Sequence, residues 1–304
     1  MRTPRLDRFG VSPDRAGPAL RRGAEEAAAP IPELMVEADR IASSVIAGIH
    51  GRRRVGRGDT FWQFRQYQPG DSAQSIDWRQ TAKSRFAYVR ETEWEAAQSV
   101  WIWCDASPSM RFRSDAGWPD KQQRAAVLAL AVAILLVRGG ERIALLGSGL
   151  APDQGRGALD RFTERLVRAL EEDASLPPVE PLPRHARLVI LGDLLSPLAE
   201  IERTVRDFAA MGVAGHLLQV VDPAELSLPW DGRVRFEGME EEGGVVIGRV
   251  GNIREDYAGA MARHREGLGA IVRALGWTVA SHVTDQPPQT ALLALHAALA
   301  PPEG

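Results

Sequence analysis

Cysteine and lysine are both scarce in this sequence, and the scarcity of cysteine narrows the classes of protein to which it can belong. The single cysteine, Cys104, excludes a disulfide framework and a cysteine-ligated zinc site, and it fits a reducing compartment. Only two of the 37 basic residues are lysine, which we attribute to genome composition. The 40 acidic residues give a net charge of −3, which argues against nucleic-acid binding by the chain as a whole.

Long apolar runs are also absent. The longest run, residues 125–137, is shorter than the roughly 18 residues that a membrane span needs, and no secretory leader opens the chain. We therefore expect a cytoplasmic protein without a membrane span. The 304 residues, 44% of them apolar, are sufficient for one large domain and a smaller companion.

The first third of the chain has little regular periodicity. Residues 1–32 mix arginine, proline, glycine and alanine without a period, which predicts a disordered tail. Apolar residues at helical spacing predict a helix over residues 33–49. Residues 50–90 are rich in arginine, glycine and aromatics, and they predict a loop-built module. We group residues 33–98 as an N-terminal region and residues 99–304 as the main domain.

The main domain alternates short apolar runs with helical segments. The predicted strands are residues 100–104, 142–146, 187–191, 216–221 and 277–283, and the predicted helices are residues 121–138, 159–170, 198–211, 256–274 and 290–299. Two alternating segments, 233–236 and 245–249, predict an inserted β-hairpin. This order is typical of an α/β protein with a doubly wound, mostly parallel sheet flanked by helices.

Polar residues follow two of the predicted strands at their carboxyl ends. Asp105, Ser107 and Ser109 come directly after the first strand, and Asp193 follows the third. Ligands of open parallel sheets bind beyond the strand ends where the strand order reverses, so we expect these side chains to converge. Carboxylate and hydroxyl oxygens are ligands that Mg²⁺ prefers. The sequence therefore predicts a divalent-cation site, the alternative being a purely structural strand exit of turn and cap formers.

The same residues carry a resemblance to known families. The segment Asp105-Ala106-Ser107-Pro108-Ser109 after an apolar strand resembles the metal-ion-dependent adhesion site of von Willebrand factor A domains. Residues 56–110 closely resemble the DUF58 family, which has a von Willebrand A-like domain, and the rest of the chain does so more loosely. The positions before the strand that carry the DUF58 resemblance include Arg65, Tyr67, Pro69, Gly70, Asp71, Asp77, Trp78 and Arg90.

The resemblance implies a von Willebrand A-like, Rossmann-type topology and a role in protein interaction. In the adhesion-site family the serines ligate the cation, the aspartates act directly or through water, and an acidic side chain of a partner often completes the coordination. That family also supplies a threonine from the loop after the second strand. Residues 147–157 hold Ser148 but no threonine, and Thr163 falls inside a predicted helix, so we expect weak Mg²⁺ binding or none. The DUF58 resemblance implies a MoxR-type AAA+ ATPase as partner.

The arginine-rich module allows two interpretations. Residues 52–90 hold nine basic and three acidic residues with aromatics between them, a composition that single-stranded nucleic-acid binding uses. Alternatively, Asp71 and Asp77 pair internally with Arg65 and Arg79, and the aromatics form a small core. We favour this structural interpretation because tryptophan and tyrosine are mostly packed and paired.

Catalytic motifs are not evident in the expected places. Phosphate-binding glycines do not follow the first strand, and Gly147-Ser148-Gly149 does not complete a nucleophile elbow. We therefore expect a non-catalytic interaction protein that presents a cation to an acidic partner. A metal-dependent hydrolase at the same rim, and nucleic-acid binding by the module, remain the alternatives.

Overall fold

The structure is a computed structural model of the 304-residue chain, and it describes residues 31–50, 61–67, 76–92, 98–238 and 243–300. The predicted tail lies outside the described residues except at its end, where a helix begins at Ile31. The chain separates into two compact units, residues 1–46 together with 98–304, and residues 47–97. We describe each unit by itself.

The helices and strands of both units are numbered together along the chain. In chain order the elements are α1 (Ile31–His50), β1 (Phe61–Gln66), α2 (Trp78–Thr81), β2 (Tyr88–Thr92), β3 (Ser99–Cys104), α3 (Lys121–Gly139), β4 (Arg142–Leu145), α4 (Arg156–Ala169), β5 (Arg187–Gly192), α5 (Leu198–Ala210), β6 (Ala214–Val221), α6 (Pro223–Ser227), β7 (Val234–Glu237), β8 (Gly244–Ile247), α7 (Arg254–Ala274), β9 (Thr278–Val283) and α8 (Pro288–Leu299). The elements predicted for the main domain are present, with ends that differ by up to three residues.

A five-stranded parallel sheet is the centre of this unit. Its order is β4-β3-β5-β6-β9, and each neighbouring pair is parallel. The chain runs from β3 to β4 on one side and then crosses to β5 on the other side of β3, so the strand order reverses between β3 and β5. The predicted α/β, Rossmann-like architecture is confirmed. The first and third predicted strands are neighbours, since Cys104 pairs with Leu191, which is the condition under which the polar residues that follow them can converge.

The central strands form because both of their faces are covered. Residues 100–104 and 188–192 are buried, which explains why they read as continuous apolar runs. Asp120 is the N-cap of helix α3, and its carboxylate accepts a hydrogen bond from the Gln123 amide at 2.7 Å. Gly140 is the C-cap, with a left-handed φ of 87°. Among the described residues, α3 is the helix long and apolar enough to cross a membrane, and most of it is buried within the protein.

Helix α1 packs with the larger unit, although its sequence position groups it with the module. Its apolar residues Ala38, Ile41, Ala42 and Val45 are buried. Arg138 of α3 contacts the Asp39 carboxylate at 2.6 Å and the Ser43 hydroxyl at 3.1 Å. The amphipathic face of α1, and not its position in the chain, determines where it lies.

The smaller unit contains an antiparallel pair of strands where the sequence predicts only loops. β1 pairs with β2, and the register shifts between Phe61 and Gln63. The loop prediction is wrong because a bulge interrupts the alternation by which short strands are recognised. The predicted hairpin in the larger unit is confirmed, since β7 pairs with β8 in antiparallel register; the turn residues 239–242 lie outside the described residues.

Candidate functional site

The loop after β3 is shaped by Asp105. Its amide donates a hydrogen bond to the Leu191 carbonyl at 2.8 Å, which carries the β3–β5 pairing one residue beyond the strand. Its Oδ1 accepts a hydrogen bond from the Ser107 amide at 2.9 Å, which closes a tight turn. Pro108 then opens a 3₁₀ helix, Pro108–Arg111, that presents Ser109 toward β5. Asp105 is 1% exposed and lies beneath the serines.

The four predicted ligands come together at the switch point, the place between β3 and β5 where the strand order reverses. They form a chain of oxygen contacts there. The Ser107 hydroxyl donates to Asp105 Oδ1 at 2.5 Å and lies 3.1 Å from the Ser109 hydroxyl. Ser109 in turn donates to Asp193 Oδ2 at 2.7 Å. Residues 84 positions apart in sequence therefore meet through one hydroxyl–carboxylate contact, as the strand-end pattern predicts.

Asp193 is held on the opposite side of the switch point by its own loop. Its Oδ1 accepts a hydrogen bond from the Leu195 amide at 3.1 Å, and its carbonyl accepts one from the Gln219 side chain at 3.0 Å. Gly192 precedes it, and a Cβ on that residue would lie 2.7 Å from both Cβ and Oδ2 of Asp105. Only a residue without a side chain permits the two loops to approach this closely.

Lys121 is part of the site, although the sequence does not predict it there. Its side chain is fully buried, and its Nζ contacts Asp193 Oδ2 at 2.9 Å and Glu225 Oε1 at 2.5 Å. Burial lowers the pKa of Lys121, but the charges of Asp193 and Glu225 outweigh burial and raise the pKa above its ordinary value. A lysine in the first turn of a helix is normally solvated, so only its rarity in this chain marks it in the sequence.

Glu225 reaches Lys121 from α6, where it completes a capping box. Its Oε2 accepts a hydrogen bond from the Asp222 amide at 2.8 Å, and Asp222 Oδ1 accepts one from the Ala224 amide at 2.8 Å. Burial raises the pKa of Glu225, and the nearby ammonium of Lys121 opposes that shift. Tyr257 donates a hydrogen bond to the Glu225 carbonyl at 2.9 Å, which ties α7 to the same corner.

Burial and a neighbouring charge make Asp105 a weak acid. Burial is the larger cause and the charge of Asp193 the second, and together they raise the pKa of Asp105 to about 7. The hydrogen bonds from Ser107 and the charge of Lys121 act in the opposite direction. The site thus concentrates negative charge that the protein only partly compensates.

A cleft of about 700 Å³ opens directly above these residues. Four polar residues, Ser107, Ser109, Asp193 and Glu225, line it on the side of the site, and we call them its floor. Its walls are largely apolar and aromatic, and they include Phe112, Leu195, Pro197, Leu228, Trp230, Phe236, Ile247, Ile253 and Tyr257. The β7–β8 hairpin supplies one wall, and its Phe236 ring packs edge-on against Trp230 with centroids 5.8 Å apart. The cleft can therefore receive a polar group at the floor and an apolar group beside it.

The floor residues offer hydroxyl and carboxylate oxygens, which are the ligand types of a small, hard cation. The Ser107–Ser109 and Ser109–Asp193 oxygens are 3.1 and 2.7 Å apart and hydrogen-bond to each other, so an ion bound here would replace these hydrogen bonds. Ser107, Ser109 and Asp193 would hold the ion, and Asp105 would support Ser107 from below. Within the described ranges, no group of three or more His, Cys, Asp or Glu side chains is placed to hold a metal ion by itself.

The missing threonine of the adhesion-site pattern is not replaced by the residues first considered. Thr163 is buried in α4, where its hydroxyl donates to the Leu159 carbonyl at 2.8 Å. The Ser148 hydroxyl donates to the Leu145 carbonyl at 2.6 Å. Ser175, from the segment before β5, lines the cleft together with Ser107 and Ser109. The sequence does not reveal this third hydroxyl because no strand end or motif precedes it.

Comparison with known proteins identifies the family. The family model described as "Protein of unknown function DUF58" matches residues 63–267. The chain belongs to the DUF58 family. Similar proteins include the uncharacterized protein Rv1480 of Mycobacterium tuberculosis and the uncharacterized protein Mb1516 of Mycobacterium bovis, each 27% identical over 263 residues that cover 80% of either chain.

Solved structures similar to this DUF58 chain include two from Bacteroides. One is an aerotolerance-related membrane protein of Bacteroides fragilis, with a TM-score of 0.37 and 16% identity. Another is the conserved hypothetical protein BatB of Bacteroides thetaiotaomicron, with a TM-score of 0.35 and 13% identity. Each match covers 66% of this chain and 98% of the other chain.

The DUF58 motif positions of the smaller unit lie on its strand pair and around α2. Arg65 pairs with Val89 and Arg90 with Phe64 in the backbone register. Asp77 is the N-cap of α2 and accepts a hydrogen bond from the Gln80 amide at 2.9 Å. Pro69, Gly70 and Asp71 lie outside the described residues.

Three of the aromatic side chains described in this unit are exposed and lie outside the small core that the sequence favours, whereas Tyr88 is half-buried. Tyr67 is 39%, Trp78 is 69% and Phe86 is 59% exposed. That prediction is wrong for these three residues, because a unit built on two short strands has little interior in which to bury large rings.

Proposed function

We propose that this DUF58 protein is a non-catalytic, cytoplasmic interaction protein whose von Willebrand A-like domain binds an acidic group of a partner protein through a divalent cation, Mg²⁺ by preference. The observation that supports the proposal is the chain of oxygen contacts from Asp105 through Ser107 and Ser109 to Asp193. It lies at the topological switch point, where ligands of open α/β sheets bind.

The surroundings of the site favour a protein ligand. A cation held by two neutral hydroxyls and one carboxylate keeps positive charge, so a carboxylate of the partner would bind it well. The apolar walls, among them Leu195, Leu228 and Trp230, would then pack against bulky side chains that flank the acid. Following the family resemblance, we propose a MoxR-type AAA+ ATPase as the partner, with complex assembly or maturation as the process served.

The hydrolase alternative has less support in the site. Asp105, whose pKa of about 7 would suit acid–base chemistry, does not line the cleft, whereas Ser107, Ser109 and Asp193 do. A general acid or base must come within hydrogen-bond reach of the reacting group, directly or through one water. The residues on the floor of the cleft are suited to holding an ion and its ligand.

Asp193→Asn tests the proposal with little change in shape. We expect it to weaken binding of the MoxR-type ATPase from the same organism at least tenfold at a fixed Mg²⁺ concentration, because it removes the charged ligand. Surface plasmon resonance with both purified proteins measures this effect. Asp207→Asn, at an exposed position on α5, is the matched control and should bind as the wild type does. Equal affinity of the Asp193→Asn variant and the wild type contradicts the proposal.

A further inference from the structure

Two groups donate to the same oxygen of Asp193. Ser109 Oγ reaches Asp193 Oδ2 at 2.7 Å from the cleft side, and Lys121 Nζ reaches it at 2.9 Å from the buried side. We propose that Lys121 is a built-in cation that competes with a divalent cation for Asp193 and so sets the metal affinity of the site. This inference rests on the proposed function, because it concerns the regulation of the same site.

The position of Lys121 makes it a permanent competitor. Its side chain is 0% exposed, and it is anchored in the first turn of α3, whose N-cap is Asp120. The ammonium therefore cannot move into solvent without opening the core, whereas an ion in the cleft exchanges freely. Two cations that share one carboxylate oxygen repel each other. Because Lys121 is fixed, this repulsion lowers the affinity of the site for the divalent ion.

The Lys121 ammonium interacts with two carboxylates, those of Asp193 and Glu225. Lys121 Nζ contacts Asp193 Oδ2 and Glu225 Oε1 at the same time. The negative charge of Glu225 weakens the interaction of the ammonium with Asp193, so the Asp193 carboxylate binds an ion more readily. Neutralising Glu225 should therefore direct Lys121 wholly to Asp193, and removing both charges should free Asp193.

Lysine, and not arginine, suits this role. Its ammonium is a compact point charge with three donors, which fits between two carboxylates and can shift from one to the other. A guanidinium is a rigid, planar fork that favours fixed bidentate pairing. The chain has 37 basic residues and only two lysines, and one of them stands at this buried position.

Two variants give opposite expectations. Glu225→Gln should weaken Mg²⁺ binding about tenfold relative to the wild type, and the double variant Lys121→Met with Glu225→Gln should strengthen it at least tenfold. Isothermal titration calorimetry with MgCl₂ on the full chain measures both dissociation constants. A lysine that only braces Asp193 predicts weaker binding in the double variant, so unchanged or weaker binding there overturns the inference.

Folding controls keep the test decisive. The double variant is preferred to Lys121→Met alone because it removes one buried charge of each sign, whereas the single change leaves two carboxylates without their cation. Far-UV circular dichroism and thermal unfolding in EDTA verify that each variant is folded. If the double variant does not fold, Glu225→Gln alone still tests the inference, because unchanged Mg²⁺ affinity in it overturns the competition.

Asp193→Asn separates failure of this inference from failure of the proposed function. If the wild type binds Mg²⁺ and Asp193→Asn does not, the cation site stands, and only the response of the double variant decides the role of Lys121. If only the double variant binds Mg²⁺, Lys121 fills the place of the ion in the wild type, which supports the inference. If none of the variants binds Mg²⁺, both the inference and the cation in the proposed function are overturned.

Discussion

At the scale of single residues, Gly192 determines whether the two loops of the site can meet. A Cβ at this position would lie 2.7 Å from Cβ and Oδ2 of Asp105, closer than side-chain atoms approach without displacement. Asp105 has little room to retreat because it is buried and bonded to Ser107. The site therefore depends on a residue that takes no part in its chemistry.

We expect Gly192→Ala to push Asp105 out of place. Overpacking of this kind costs about 1–3 kcal/mol of unfolding free energy, and Mg²⁺ affinity should fall with it. Urea unfolding and calorimetric titration measure the two effects. Gly248→Ala is the control, because a Cβ there meets no atom within 4 Å and should change the stability by less than about 0.5 kcal/mol. Equal stability of the two variants would contradict the close approach.

At the same scale, the sequence predicts the four ligands of the site but not their partners Lys121 and Glu225. Asp105, Ser107 and Ser109 share one loop, and Asp193 follows a strand whose apolar run is plain, so a general rule about strand ends joins them. Lys121 lies 72 positions from Asp193 and 104 from Glu225. Nothing local in the sequence pairs them, because the contact exists only once α3 packs beneath the sheet rim.

At the scale of elements, β6 and β9 each bury a histidine. His216 Nδ1 lies 2.8 Å from the Thr278 hydroxyl on the neighbouring strand, and His282 is 4% exposed. Burial is the main cause that lowers the pKa of each to about 4, and the charges of Arg187 and Arg124 respectively add to it. Both histidines are therefore neutral in the folded chain at neutral pH.

This burial predicts a loss of stability in mild acid. Between about pH 6.5 and 4 the unfolded chain binds a proton at each histidine and the folded chain does not, so the unfolding free energy falls as the pH falls. The slope reaches at most about 1.4 kcal/mol per pH unit for each histidine. Urea unfolding between pH 7.5 and 4.5 measures it for the wild type and for the double variant His216→Asn with His282→Asn.

The raised pKa of Asp105 changes the unfolding free energy in the opposite direction as the pH falls. Between about pH 7 and 4 the folded chain keeps a proton on Asp105 and the unfolded chain does not. The comparison is therefore made between the wild type and the double histidine variant, and not on the wild-type curve alone. We expect the difference in unfolding free energy to narrow as the pH falls from 6.5 to 4.5. A difference that does not depend on pH would contradict the neutral histidines.

The elements also differ in how well sequence predicts them. The central strands and their helices are predicted to within three residues, because burial on both faces leaves long apolar runs. β1 and β2 are missed because of the bulge near Phe61, and α6 is missed because its five residues are too few for a period. Its capping pair, Asp222 and Glu225, is the only sequence signal that it offers.

At the scale of the whole molecule, residues 31–46 of α1 belong to the α/β unit, although residues 47–97 separate them from β3. Ile41 is completely buried and Val36, on the same helix, is 70% exposed. These two residues make a matched pair for testing the packing of α1, because both are β-branched and both lie within one helix.

We expect Ile41→Asp to lower the unfolding free energy by about 3 kcal/mol or more, because it places a carboxylate in an apolar contact. Val36→Asp should change it by less than about 0.5 kcal/mol. Urea unfolding followed by circular dichroism measures both. Similar losses for the two variants would show that α1 does not pack on the α/β unit.

The parallel α/β architecture, the hairpin and the proximity of four polar residues can be predicted from the sequence alone. These residues are Asp105, Ser107, Ser109 and Asp193. These features depend on periodicity and on the polar residues next to the carboxyl end of a buried strand, and both are local properties of a chain. The buried ammonium of Lys121, its division between Asp193 and Glu225, and the apolar walls of the cleft become visible only in the folded chain. Partners that are distant in sequence and shielded from water interact through space, where the packing of α3, α6 and the hairpin sets their separations.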